Sequence, residues 1–104
     1  MIGIDIVDIS RITLRESFIR RVLTEKEYGE YEKRPTEQRK KEYIAGRFAA
    51  KEAVFKATQD PDWLSYTILN KENGQPYVYG RPDIEISISH DGSYAAAVVF
   101  ISSR

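Results

Sequence analysis

The chain has 104 residues, no cysteine, one histidine, and sixteen acidic against sixteen basic side chains. A chain of that size supports one hydrophobic core, so one domain is expected over residues 1–104, small enough for its cleft to need a neighbouring subunit. Zero net charge removes bulk attraction to nucleic acid or an anionic membrane, the missing cysteines remove disulfides and thiolate chemistry, and a lone histidine removes multi-histidine zinc sites. No apolar run reaches eighteen residues and no basic-then-apolar leader opens the chain, so a soluble cytoplasmic protein is expected.

Met1 to Ile9 is short and rich in β-branched residues, which predicts a strand. Ile2, Ile4 and Ile6 share one face of it; Gly3, Asp5, Val7 and Ile9 share the other. Asp5 is thus an acid in a largely apolar strand, two residues from a glycine that lets another backbone or a ligand come close. Asp8, at the strand's exit, reads as a turn or capping residue. From Arg11 to Arg21 four arginines accompany one acid over a loosely helical apolar pattern, giving a locally basic face suited to an acidic protein partner. Thr24-Glu25-Lys26-Glu27 has the form of a capping box and predicts a helix running to about Lys33, where Pro35 stops it.

Thr36 can cap a long helix ending near Thr58, before Asp60-Pro61. Its second half, Ile44 to Ala57, reads IAGRFAAKEAVFKA and carries charges unusual for a buried helix. At about 100° per residue Lys51 falls in a stripe with Ile44, Phe48 and Phe55, and no side reads as a solvated face. A desolvated charge must be paired, metal-bound or turned to a cleft. Either Lys51, Glu52 and Lys56 satisfy one another, with Glu52 and Lys56 as an i,i+4 ion pair, or they face a charged ligand. The pattern then becomes extended, with strands predicted at Leu64 to Leu69 and Pro76 to Tyr79 around Asn73-Gly74, at Asp83 to His90, and at Tyr94 to Ile101 after Asp91-Gly92. The whole is an α+β domain: an N-terminal strand, helices in the first half including one long helix, and a mostly antiparallel sheet in the second half.

Two acids in apolar elements, Asp5 and Glu52, with lysines one residue before and one turn after Glu52, suit a magnesium ion shared with substrate phosphate oxygens. No GxxxxGK[ST] loop is present, which argues against a P-loop nucleotide enzyme. By residues alone, a magnesium-dependent reaction on a phosphorylated small molecule is indicated.

The segments GIDIVDISRI at Gly3 to Ile12, RRVLTEKE at Arg20 to Glu27, AGRFAAKEAVFKA at Ala45 to Ala57, NGQPYV at Asn73 to Val78 and ISISHDGSYAAAVV at Ile86 to Val99 together resemble the holo-[acyl-carrier-protein] synthase family of 4′-phosphopantetheinyl transferases. The likeness keeps the family's order over nearly the whole chain. It implies transfer of the phosphopantetheine arm from coenzyme A to a serine of apo acyl carrier protein, with release of adenosine 3′,5′-bisphosphate. It further implies that Asp5 and Glu52 hold Mg2+, and that Lys51, Lys56, Arg47 and His90 belong to the coenzyme A site. Glu52 and Lys56 would serve catalysis, with Glu52 or a metal-associated water as the base. Arg11, with Arg15, Arg20 or Arg21, would meet the acidic carrier. A homotrimer with active sites between subunits is implied as well. One departure is the segment after the long helix, ATQDPDWLSYT, which has no glycine where many members carry a glycine-rich loop. Two other readings use the same residues: a magnesium-dependent nucleotide pyrophosphate hydrolase, and a non-enzymatic oligomeric module that binds an acidic protein through Arg11 to Arg21.

Overall fold

The computed structural model describes residues 1–102; residues 103 and 104, the end of the expected single domain, lie outside the described residues. Strand β1 (Ile2–Asp8) leads into a 3-10 turn at Ile9–Arg11, where the Asp8 carboxylate accepts from the Ser10 amide and hydroxyl. Helices α1 (Glu16–Val22), α2 (Glu25–Glu32) and α3 (Glu37–Thr58) come after it. A 3-10 turn at Trp63–Ser65 and a short hairpin of β2 (Ile68–Asn70) and β3 (Pro76–Val78) come next, then β4 (Ile84–Asp91) and β5 (Tyr94–Ile101). The architecture is the α+β arrangement read from the sequence. No described helix is long and apolar enough to cross a membrane.

Capping chemistry sets the helix boundaries. Thr24 accepts from the Glu27 amide while Glu27 accepts from the Thr24 amide, so both halves of the capping box are in place. Thr36 caps α3 through the Arg39 amide. Gln59 ends α3 in the left-handed region, with φ of 64°, a position that glycine fills more comfortably. Two expectations need correction. The basic segment is helical only from Glu16, after an extended stretch. The strand expected at Leu64 to Leu69 is confined to Ile68–Asn70, because Asp60 accepts from the Asp62 amide and the Tyr66 hydroxyl and winds the chain into the 3-10 turn.

The main sheet is antiparallel, in the order β1-β5-β4, and α3 crosses one face of it. Alanines at 49, 50 and 53 let α3 settle against Ala97, Val99 and Ile101 of β5, forming one half of the core. Ile19, Val22 and Leu23 pack with Tyr43, Ile44 and Ala45 to form the other. The opposite sheet face leaves Ile2, Ile4, Ile6 and Phe100 between 50% and 68% exposed.

Gly3 is where β1 and α3 meet most closely. A Cβ there would overlap the Ala53 carbonyl oxygen and lie 3.1 Å from the Ala57 amide nitrogen. Both obstacles are helix backbone, which cannot swing aside as a side-chain tip can. Gly3→Ala is therefore expected to destabilise the fold by at least about 2 kcal/mol, the scale of core overpacking. Urea denaturation checks this, and a midpoint equal to wild type would mean that β1 does not need this contact.

Candidate active site

The approach at Gly3 sets the site. Asp5 is two residues along β1, paired with Ala97 of β5 and on the same strand face as Gly3. Glu52 directly precedes Ala53 on α3. Both acids line one cleft of about 340 Å3, together with Val7, Asp8, Arg11, Phe18 and Phe48. The Phe18 and Phe48 rings stack at 5.9 Å, and Trp63 meets Phe48 edge-on at 5.1 Å, forming an aromatic wall. A larger groove of about 440 Å3 lies between the hairpin and β4, but Glu85 is its only acid.

The Asp5 side chain is only 13% exposed, and its Oδ1 accepts from Lys56 Nζ at 2.9 Å. Lys56 also donates to the Ile4 carbonyl at 3.2 Å. The i,i+4 pairing open to Glu52 and Lys56 is thus replaced by a bridge from α3 to β1. Among the described residues no group of three or more His, Cys, Asp or Glu gathers as a ready-made metal cage. Of the three carboxylates on the cleft, Asp8 is engaged by the Ser10 amide and hydroxyl; the other two, Asp5 and Glu52, suit Mg2+ that completes its shell with substrate oxygens and water.

Two lysine and arginine assignments need correction. Lys51 is wholly buried and turned away from the cleft; its ammonium donates to Glu27 Oε1 at 2.8 Å, Val22 O at 2.9 Å and Trp63 O at 3.1 Å. All three N–H bonds are taken, so no proton remains for coenzyme A. Burial pushes the Lys51 ammonium below the ordinary lysine range, while the Glu27 carboxylate and its hydrogen bond pull against that. Arg47, 5% exposed, donates to the Ile68 carbonyl and the Asn70 side chain and stacks on Tyr43. It ties α3 to the hairpin rather than opening onto the Asp5 and Glu52 cleft.

Of the basic face, Arg11 lines the cleft, and Arg15 and Arg21 are exposed on and before α1. Arg20 is engaged within its own chain, to Glu16 at 2.9 Å and Glu25 at 2.7 Å, with its guanidinium over Tyr28. Its guanidinium is raised above the ordinary arginine range, chiefly by the Glu16 hydrogen bond. His90 lies near the end of β4 with Nε2 3.9 Å from Glu42. Glu42 and Glu52 are ten residues apart on α3, about 15 Å at 1.5 Å per residue, so one chain does not bring His90 to the two acids. Glu27 escaped sequence reading as anything beyond a cap. The signal was there in a capping-box acid whose second oxygen needs a partner, and that oxygen accepts from the Ile68 amide at 2.7 Å.

A long helix on an antiparallel sheet, with an acid from each element at one cleft and a lysine bonded to one of them, defines a small α+β domain with a charged cleft. A sequence model of the 4′-phosphopantetheinyl transferase superfamily matches residues 1–99, and the chain belongs to that superfamily. Among its relatives, the holo-[acyl-carrier-protein] synthase of Exiguobacterium sibiricum is 39% identical over 114 residues, covering 99% of this chain and 88% of that protein. The synthase of Listeria monocytogenes serotype 4a is 42% identical, covering 96% and 95%. Among solved structures, a Bacillus anthracis holo-(acyl-carrier-protein) synthase in complex with CoA (3′,5′-ADP) superposes with a TM-score of 0.87 at 34% identity, covering 99% of this chain and 96% of that one. The Helicobacter pylori synthase in complex with coenzyme A gives 0.81 at 31% identity, covering 98% and 100%.

Proposed function

We propose that this chain transfers the 4′-phosphopantetheine arm of coenzyme A to a serine of apo acyl carrier protein and releases adenosine 3′,5′-bisphosphate. The observation that carries the reading is that Asp5 and Glu52 open onto one cleft beside Lys56, in a chain whose relatives are named for this synthesis. In the reaction the serine Oγ bonds to the β-phosphorus of coenzyme A. The bond from that phosphorus to the bridging oxygen breaks, and the bisphosphate leaves with the electron pair. Asp5 and Glu52 would hold Mg2+, which when bound supplies charge neutralisation at the diphosphate. Lys56, bonded to Asp5, would add a cation near the diphosphate. The serine proton needs an acceptor in the cleft, and Glu52 is the candidate on this chain. The Phe18 and Phe48 rings on the cleft wall would help to keep water from the reacting phosphorus, which favours transfer over hydrolysis.

The assembly belongs to the same proposal. Ile2, Ile4, Ile6 and Phe100 form an apolar outer sheet face, the kind of patch that a second copy covers. A homotrimer with sites between subunits would let a neighbour's His90 complete the coenzyme A site that one chain leaves unfinished. Sedimentation equilibrium would read the state directly, and a monomer at micromolar concentration would refute the shared site.

The deciding experiment is mass spectrometry of apo carrier protein after incubation with the chain, coenzyme A and Mg2+. The expected result is a carrier heavier by one phosphopantetheine arm. Release of adenosine bisphosphate without carrier would instead mark a hydrolase, and carrier capture without modification and without need for Mg2+ a binding module. Arg11 faces the cleft mouth, so Arg11→Glu is expected to raise the carrier's Kd about tenfold, or about 1.4 kcal/mol. Affinity for coenzyme A should change little. Titrations with each partner check this, and equal losses would remove the carrier-facing role.

A further inference from the structure

Lys56 sits where a cation is wanted. Asp5 is largely shielded from water, and its carboxylate is held by the Lys56 ammonium at 2.9 Å, steadied by the Ile4 carbonyl at 3.2 Å. The lysine side chain itself is 50% exposed, on a flexible stem that can swing without disturbing the core. A dication entering at Asp5 and a lysine already there repel each other in a partly buried site, so the arriving metal drives the ammonium off the carboxylate they compete for. Its release costs least where another anion lies within its reach. We infer that Lys56 is a stand-in cation that couples the metal site to the diphosphate subsite: it occupies Asp5 in the free chain and passes to a substrate phosphate when Mg2+ takes its place. The inference rests on the proposed assignment of Asp5 to the metal.

Thermodynamic linkage makes the coupling reciprocal. Mg2+ alone must displace Lys56 into water and binds weakly; with a diphosphate present the displaced ammonium gains a partner, so each ligand tightens the other by the same factor. Lys56→Met leaves Asp5 without its internal competitor and the diphosphate without the swinging cation.

Calorimetric titration of Mg2+ into the full chain, with and without saturating coenzyme A and with no carrier protein present, tests this. In wild type, coenzyme A is expected to tighten Mg2+ by about tenfold or more, and Mg2+ to tighten coenzyme A equally. In Lys56→Met, Mg2+ alone should bind several-fold tighter than to wild type, and the mutual tightening should fall toward unity. Lys56→Arg should restore much of the coupling. Lys56→Gln, which is uncharged yet polar at this exposed position, gives a second folded variant. If Mg2+ and coenzyme A both bind wild type but Lys56→Met and Lys56→Gln bind Mg2+ alone no tighter, the stand-in role is overturned while the transferase reading stands. If wild type binds neither ligand, both fall together.

Discussion

Glu52→Ala and Asp5→Ala are each expected to lower phosphopantetheine transfer by about a thousandfold or more, close to 4 kcal/mol of transition-state stabilisation. Thermal stability should stay near wild type. Alanine is the strongest helix former, and Glu52 stands within a 22-residue helix whose buried contacts come from its neighbours. Asp5 is held by register with Ala97 and by backbone pairing along β1, which alanine retains. What each variant loses is one of the two carboxylates proposed to hold Mg2+, and the expected loss of Mg2+ affinity is read by titration without turnover. Turnover close to wild type in either variant would contradict the metal assignment. Retained Mg2+ affinity with lost turnover would move that acid from metal ligand to proton acceptor.

Lys51→Met should act oppositely, on the fold first and the chemistry second. Removing one partner of a buried ion pair costs about 3–5 kcal/mol, because the remaining charge is left in the interior without compensation. Here the orphan is Glu27, fully buried and still bonded to the Thr24 and Ile68 amides; the Val22 and Trp63 carbonyls lose their donor as well. The ammonium joins the end of α1, the start of α2 and the Trp63 turn to α3, so the loss falls on four segments together. For a domain of this size the melting temperature should drop by more than about 10 °C. Calorimetry decides the matter, and a drop of no more than about two degrees would show that the pair contributes little.

The contrast between those neighbours explains how much could be read in the chain. The Thr24 capping box, the Thr36 cap and the end of α3 near Thr58 are local signals, and each matches the structure within a residue or so. Gly3 also carried its meaning openly, as a glycine in a strand that admits close backbone contact. The stripe containing Lys51 announced a buried charge, but its partner could not be found by helical spacing because Glu27 lies 24 residues earlier on another helix. The partners of Arg47, which the resemblance assigns to the coenzyme A site, are equally beyond helical spacing, 21 and 23 residues away on the β2–β3 hairpin. The meeting of Asp5 with Glu52 across 47 positions of sequence was likewise invisible to periodicity. The inventory of acids in apolar elements and the family resemblance both point to the pair, and the close β1–α3 approach that Gly3 permits is what the structure adds. The shortened strand after Pro61 reflects side-chain bonds from Asp60 and Tyr66 that outweigh the local preference for extended backbone.

The row of isoleucines on the outer side of β1 has a practical corollary for anyone handling this protein. Covering a side chain of that kind is worth about 1.5–3 kcal/mol, and three stand in line at 68%, 65% and 66% exposure. Self-association driven by such a surface obeys mass action. If the proposed site is shared between subunits, activity per milligram should rise with protein concentration, and an assay run at nanomolar dilution would understate it.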